Sequence, residues 1–242
     1  MYGLLYRTEA THWWYRVRRT IVTSIVAKHV KKASRPLRIL DVGCGTGALL
    51  SELQTFGTVD GLDKSADAVA YCATRGLAAV VVGDAERLPY QDETFDVVIA
   101  LDVLEHLPDD SIGSRELARV LKKGGIAIVA VPAFQFLWGI TDTVSHHYRR
   151  YRLKEITRVV QDAGLVVTRS TYFNTFLFPA IAAVRLSARL VPHDKSKSTV
   201  ENEMGGALGN AIFYKIFRLE SALLPYINFP FGVSALVVGE KP

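Results

Sequence analysis

An α/β fold is predicted: a doubly wound, seven-stranded, mostly parallel sheet, with a helix before it and a helical cap between its last two strands. Three observations carry that prediction. From residue 37 onward, short apolar runs alternate with helical segments, the pattern of parallel strands joined by crossover helices. The run Phe95-Asp-Val-Val-Ile-Ala-Leu101 is apolar almost throughout, as suits a strand covered on both faces. Gly43, Gly45 and Gly47 break the chain directly after the first apolar run, where such a sheet turns into its first helix.

The elements follow in order. His12 to Val30 has Trp14, Val17, Ile21 and Ile25 on one stripe and reads as an amphipathic helix, closed by Ser34-Arg35-Pro36. Leu37 to Val42 is the first strand, Ala48 to Phe56 a helix, and Thr58 to Leu62 the second strand. A helix over Ala66 to Arg75 leads to a third strand, Ala78 to Val82, and Phe95 to Leu101 is the fourth. Ser114 to Leu121 is a helix ended by Lys122-Lys-Gly-Gly. Ile126 to Val131 is the fifth strand, stopped by Pro132. Residues 133 to 150 show no clear period. A helix over Leu153 to Ala163 and a sixth strand, Leu165 to Tyr172, come next. Helices over Phe176 to Val191 and Ala211 to Leu224, joined by the polar loop His193 to Asn210, precede the last strand, Val233 to Gly239.

The 242 residues suit one domain with an elaborated cap, and 49% hydrophobic against 22% charged residues excludes a mainly disordered chain. The expected organisation is a helical arm at 1–36, a sheet domain at 37–172 and 233–242, and a cap at 173–232. No basic stretch followed by an apolar core opens the chain, so no secretory leader is expected. Cys44 and Cys72 form no CxxC spacing, which points to a reduced, cytoplasmic setting. The net charge of +5 is uneven: residues 1–38 hold nine Lys/Arg against Glu9 alone. A basic arm can meet RNA, anionic lipid or a phosphorylated substrate, or be a solvated helix face. The uncharged stretch from Ser221 to Gly239 is broken by Pro225, Asn228, Pro230 and Gly232, so no membrane span is expected there. Peripheral contact with a membrane stays open.

The chemistry centres on Asp41-Val-Gly43-Cys44-Gly45-Thr-Gly47. Glycines let the backbone turn tightly beside a ligand, and the next helix presents free N–H groups. Asp63 lies roughly 20 residues further on, at the end of the second strand, where a carboxylate can hold both hydroxyls of a ribose. This alone fits a dinucleotide too, since Gly43-x-Gly45-x-x-Ala48 satisfies the relaxed pattern. Asp41 shifts the balance, because a carboxylate there would attract a cationic amino group and repel a pyrophosphate. Asp84, after the third strand, is placed to accept from an adenine amino group. Phe95 to His106 leads into the central cleft.

Taken together, Ile39-Leu-Asp-Val-Gly-Cys-Gly-Thr-Gly47, Gly61-Leu-Asp63-Lys-Ser, Asp84-Ala-Glu-Arg-Leu-Pro-Tyr and Phe95 to His106 closely resemble the class I S-adenosylmethionine-dependent methyltransferase family. The resemblance covers roughly residues 37 to 131. It implies S-adenosylmethionine as cofactor and S-adenosylhomocysteine as product. In that reading Asp41, Gly43, Cys44, Gly45 and Gly47 surround the methionine part and Asp63, with Lys64 beside it, holds the ribose. Asp84, Ala85 and Glu86 flank the adenine, Ala100 and Leu101 offer backbone near the amino group, and His106 stands beside the cleft.

An activated sulfonium needs the acceptor held in line, water excluded and, for some acceptors, a proton removed. Trp138 to Tyr151 is the candidate region. It resembles a bacterial subgroup with a D-x4-H-x-RRY pattern, which points to His147 over His146 as general base, oriented by Asp142, with Arg149 and Arg150 as anion binders. His12-Trp-Trp-Tyr-Arg-Val-Arg18 also resembles that subgroup, offering Trp14 as an aromatic lid or as core, and Arg18 for the cofactor carboxylate. The apolar cap suggests a hydrophobic or lipid-linked small-molecule acceptor, methylated at oxygen or nitrogen. An RNA methyltransferase, a non-catalytic cofactor-binding subunit and a nicotinamide dehydrogenase remain as alternatives. Absence of an appended RNA-binding domain and of an Asp-Pro-Pro-Tyr-type motif weighs against a nucleic-acid partner. No ligand spacing such as HExxH is present, so no metal is expected.

Overall fold

The computed structural model describes residues 2–33, 35–187 and 206–242. Seven strands form one sheet: β1 (Leu37–Val42), β2 (Gly57–Asp63), β3 (Val80–Val82), β4 (Phe95–Leu101), β5 (Leu121–Pro132), β6 (Val166–Phe173) and β7 (Ser234–Glu240). Their order is β3-β2-β1-β4-β5-β7-β6, and only β7 runs against its neighbours. The sheet is thus α/β, doubly wound and mostly parallel, as expected. The order reverses between β1 and β4, and a crevice at the carboxyl ends of those strands is where such sheets bind ligands. Register brings the site together: Val42 lies opposite both Leu62 and Ala100, so β1, β2 and β4 end at one height.

Alternation along the strands divides the core between two faces. Val98 and Ala100 of β4 pack with α5 (Asp110–Val120) and α7 (Leu153–Asp162). Val97, Ile99 and Leu101 pack with α2 (Trp13–Ala33), α3 (Ala48–Leu53) and α9 (Gly206–Leu223). Every residue of β4 is buried, which explains its uninterrupted apolar run. A smaller cluster of Cys44, Leu50, Cys72 and Leu77 seats α4 (Ala66–Thr74) beside the glycine turn.

Several boundaries differ from expectation for local reasons. A further helix, α1 (Tyr2–Thr8), precedes α2; it has no buried residue, hence no apolar stripe to read. Helix α5 starts earlier because Asp109 caps it, accepting from the Ser111 amide at 2.9 Å. It ends at Val120, not at the glycines. Leu121 already pairs with Phe95, and Lys122 to Gly125 form a bulged start of β5. β3 is shorter than expected, and a short helix α6 (Ile140–Val144) interrupts the aperiodic segment.

In the cap, α8 (Phe178–Ser187) begins two residues late and α9 begins at Gly206, ahead of Ala211. The rest of the expected first cap helix, and the loop up to residue 205, lie outside the described residues. Helix α9 reaches from the start of α2, where Asn210 Oδ1 accepts from the Trp13 amide at 2.7 Å, to the end of β6, where Glu220 accepts from the amides of Thr175 and Phe176. It therefore crosses the carboxyl edge of the sheet. Among the described residues no helix is long and apolar enough to cross a membrane.

Candidate active site at the carboxyl edge of the sheet

The turn after β1 is built on positive φ angles, +71° at Gly43 and +56° at Gly45, which L side chains rarely adopt. A Cβ on Gly43 would stand 2.5 Å from Val103 Cγ2. The Gly43 and Cys44 amides donate to the Leu62 carbonyl, tying the turn to β2. Asp63 closes the arrangement: its carboxylate accepts from the amides of Gly45 and Ser65, both at 2.9 Å, and from the Tyr2 hydroxyl at 3.3 Å. Helix α1 is fixed over this turn by Glu9, which accepts from the Thr46 hydroxyl and pairs with Arg75 at 2.6 Å.

A cavity of about 870 Å³ opens above the turn, within the range of small-molecule sites. Of the residues expected at the cofactor, Asp41, Gly43, Cys44, Gly45, Asp63, Lys64, Asp84, Ala85, Leu101, His106, Trp14 and Arg18 line it; Gly47, Glu86 and Ala100 do not. Gly47 serves packing: at φ +85° a Cβ would sit 2.6 Å from Leu77 Cδ1 and 2.9 Å from Cys72 Sγ. Ala100 points into the core between β4 and the α5–α7 layer. Glu86 contributes its amide, which donates to Asp84 at 3.0 Å and, more than the Lys64 ion pair at 3.0 Å, holds that carboxyl below its usual range.

Asp41 is buried, and desolvation lifts its carboxyl to about 7; Arg18 works against that shift, and Asp63 and Glu9 add to it. Arg18 reaches the same end of the cavity from α2 and pairs with Asp102, leaving its Nε buried without a partner. Trp14 is part of an aromatic stack, with its ring 5.6 Å from Phe173 and 5.5 Å from Phe217, while it also lines the cavity. Three other cations of residues 1–36 are engaged by the body: Arg19 with Glu52, Arg35 with Asp96, and Arg16 over the ring of Tyr214.

The opposite end holds the candidate catalytic residues. Asp142 is completely buried. It accepts from the Gly139 amide and from Arg150 Nε, both at 2.8 Å, and its other close partner is His147 Nδ1 at 2.8 Å. Burial alone would raise its carboxyl; the His147 hydrogen bond and the Arg150 guanidinium together hold it well below the usual range. His146 also lines the cavity, at φ +56°, but its neighbour is the one that Asp142 holds. Arg149 and Arg150, expected on an anion, turn to the protein instead: Arg149 to Asp110 and the Leu107 carbonyl, Arg150 to Asp142 and the Ala133 carbonyl. The ring of His106 meets that of His147 edge-on at 4.5 Å. Beside them Glu105 is fully buried with neither carboxylate oxygen hydrogen-bonded; burial, then Asp102, pushes its carboxyl well up. Glu105, His106 and His147 bring ligand atoms within 4.8 Å of one another, close enough for a metal ion, a grouping invisible in the linear spacing.

Sequence reasoning also passed over Asp102, Asn174 and Tyr2, all of which line the cavity. Asp102 and Asn174 hold positive φ, at +56° and +59°, strain that gathers at functional sites. The position of Asp102 directly after β4 was the one available signal.

Glycine turn, strand-end carboxylate and crevice at the switch point define a Rossmann-like nucleoside-binding protein. At one end of the cleft the buried carboxyl of Asp41 and the orphaned Nε of Arg18 lie together. Residues 40–129 match the profile of the methyltransferase domain. The ubiquinone biosynthesis O-methyltransferase of Rhizobium etli is 35% identical over 59% of this chain and 67% of its own length. The demethylmenaquinone methyltransferase of Lactiplantibacillus plantarum is 32% identical over 60% of this chain and 76% of its own. Among solved structures, a methyltransferase of Thermotoga maritima superposes with a TM-score of 0.59 over 100% of this chain and 95% of its own at 18% identity, a likeness of fold. The chain belongs to the class I S-adenosylmethionine-dependent methyltransferases: it is a methyl-transferring enzyme with S-adenosylmethionine as its cofactor.

Proposed function

We propose that the enzyme methylates an oxygen or nitrogen atom of an apolar small molecule, with His147 as general base and Asp142 as the group that orients it. The observation that carries this is the buried Asp142–His147 pair at 2.8 Å, in the same cavity as Asp41 and Asp63. S-adenosylmethionine supplies the electrophilic methyl group. Around it, Asp63 holds the ribose hydroxyls, Asp41 the amino group, Arg18 the carboxylate, and Asp84 with Ala85 the adenine. His147 donates its Nδ1 proton to Asp142, which leaves Nε2 as the basic nitrogen for a hydroxyl or ammonium proton of the acceptor. Arg150 donates to the same oxygen of Asp142 that His147 meets and helps to keep that carboxyl ionised.

Support for an apolar acceptor comes from Leu107, Ile181 and Val184 in the lining. Two relatives carry ubiquinone biosynthesis and demethylmenaquinone in their names. In this reading the arm at 1–36 closes the cofactor end, the sheet domain at 37–172 and 233–242 carries the machinery, and the cap at 173–232 walls the acceptor end. Incubation with methyl-labelled cofactor and a panel of phenols and amines with alkyl tails of increasing length tests it. Label is expected in the tailed phenols or amines, with KM falling as the tail grows. Label confined to RNA or to short polar acceptors would overturn the proposal.

A further inference from the structure

The outward face of α9 is the feature that methyl transfer leaves unused. Asn210, Phe213, Phe217 and Glu220 face the body of the protein. On the opposite side of a 3.6-residue helix fall Leu208, Ala211, Ile212, Lys215, Arg218, Leu219 and Ala222, all exposed. Leu208 is 75% exposed and Leu219 61%. An ordinary surface helix carries charge there; this one is apolar on both sides, with two cations as the only charges of its outward stripe. Tyr226, 87% exposed, and Ile227 extend the apolar surface past the helix end. The described part of residues 173–232 contains a single acid, Glu220, and it is buried.

We infer that this face docks the enzyme on a membrane containing anionic lipid. Leucine and isoleucine side chains would enter the headgroup boundary, Tyr226 would sit at the interface, and Lys215 and Arg218 would extend to lipid phosphates. A second copy of the chain is the competing occupant, but two such faces would bring Lys215 and Arg218 together, and among the described residues of 173–232 no exposed acid stands ready to neutralise them. The inference stands apart from the choice of general base.

Flotation of the full-length enzyme with phosphatidylcholine vesicles, with and without phosphatidylglycerol, tests it. Binding is expected to the anionic vesicles, about fivefold weaker for Lys215→Ala and about tenfold or more weaker for Leu208→Glu/Leu219→Glu. Unchanged S-adenosylhomocysteine affinity would show that the variants are folded. The inference is overturned if neither vesicle floats the enzyme, if the variants float as well as the parent, or if light scattering finds a dimer that the double variant dissolves while vesicles are ignored. Retained turnover of a water-soluble acceptor in each of those cases would leave the proposed chemistry standing.

Discussion

Asp41 is a buried carboxyl lifted to about 7, and the proposed contact with the cofactor's amino group would need it ionised. A folded-state value above the free one means that the cofactor-free fold binds the proton more tightly than the unfolded chain. The contribution of Asp41 to stability is therefore full below about pH 4 and is lost as pH rises through 7. A cationic amino group beside Asp41 reverses that preference. Calorimetry of S-adenosylhomocysteine binding at pH 6, in buffers of different ionisation enthalpy, is expected to show net proton release, and Asp41→Asn should remove it; buffer-independent heats in the parent would refute the assignment. His147 makes the second prediction at this scale. His147→Gln is expected to lower kcat about 100-fold or more while the affinity for S-adenosylhomocysteine is unchanged. A loss in cofactor affinity alone would reassign the residue to binding.

Among elements, the glycine turn and α1 work as one unit, and this is where the sequence was least explicit. Asp41, Gly43, Gly45 and Asp63 were legible as cavity-lining positions because a glycine turn between a parallel strand and its helix leaves the backbone few alternatives. Gly47 was misplaced because its left-handed conformation and its contacts with Leu77 and Cys72 are a packing demand that looks identical in a motif. Helix α1 was unread because its hold on the site is polar: Tyr2 on Asp63, Glu9 on Thr46 and Arg75. Asp142 and His147 were legible as a pair, whereas Arg150 looked like an anion binder until its burial against Asp142 was seen. Replacing Glu9 by Ala removes the carboxylate partner of Arg75 and of the Thr46 hydroxyl and is expected to cost about 2 kcal/mol of stability, read from urea unfolding. It should also weaken cofactor binding by loosening α1. Full retention of both would mean that α1 merely rests on the turn.

For the molecule as a whole, the sheet was predictable because both of its faces are covered, so β4 and β5 announce themselves by composition alone. The register that brings β1, β2 and β4 to one height follows from parallel pairing, and it gathers residues far apart in sequence onto one edge. The glycine turn, the Asp142–His147 pair and residues Ile181, Val184 and Arg185 of α8 meet there around one cavity. Division of labour is expected along that edge: substitutions at Asp63 should act on cofactor affinity and leave vesicle binding intact, and those on the outward face of α9 should do the reverse. Calorimetry and flotation on the same two variants measure it, and cross-effects would contradict it.

The central claim is that Asp63 and the glycine turn hold the adenosyl cofactor. Titration of S-adenosylhomocysteine into the parent and Asp63→Ala enzymes tests it most directly. Binding by the parent and a loss of about 100-fold in the variant are predicted, as befits a carboxylate that would hold two hydroxyls through charge-assisted hydrogen bonds. A parent that ignores the nucleoside, or a folded variant that binds it equally well, would contradict the account.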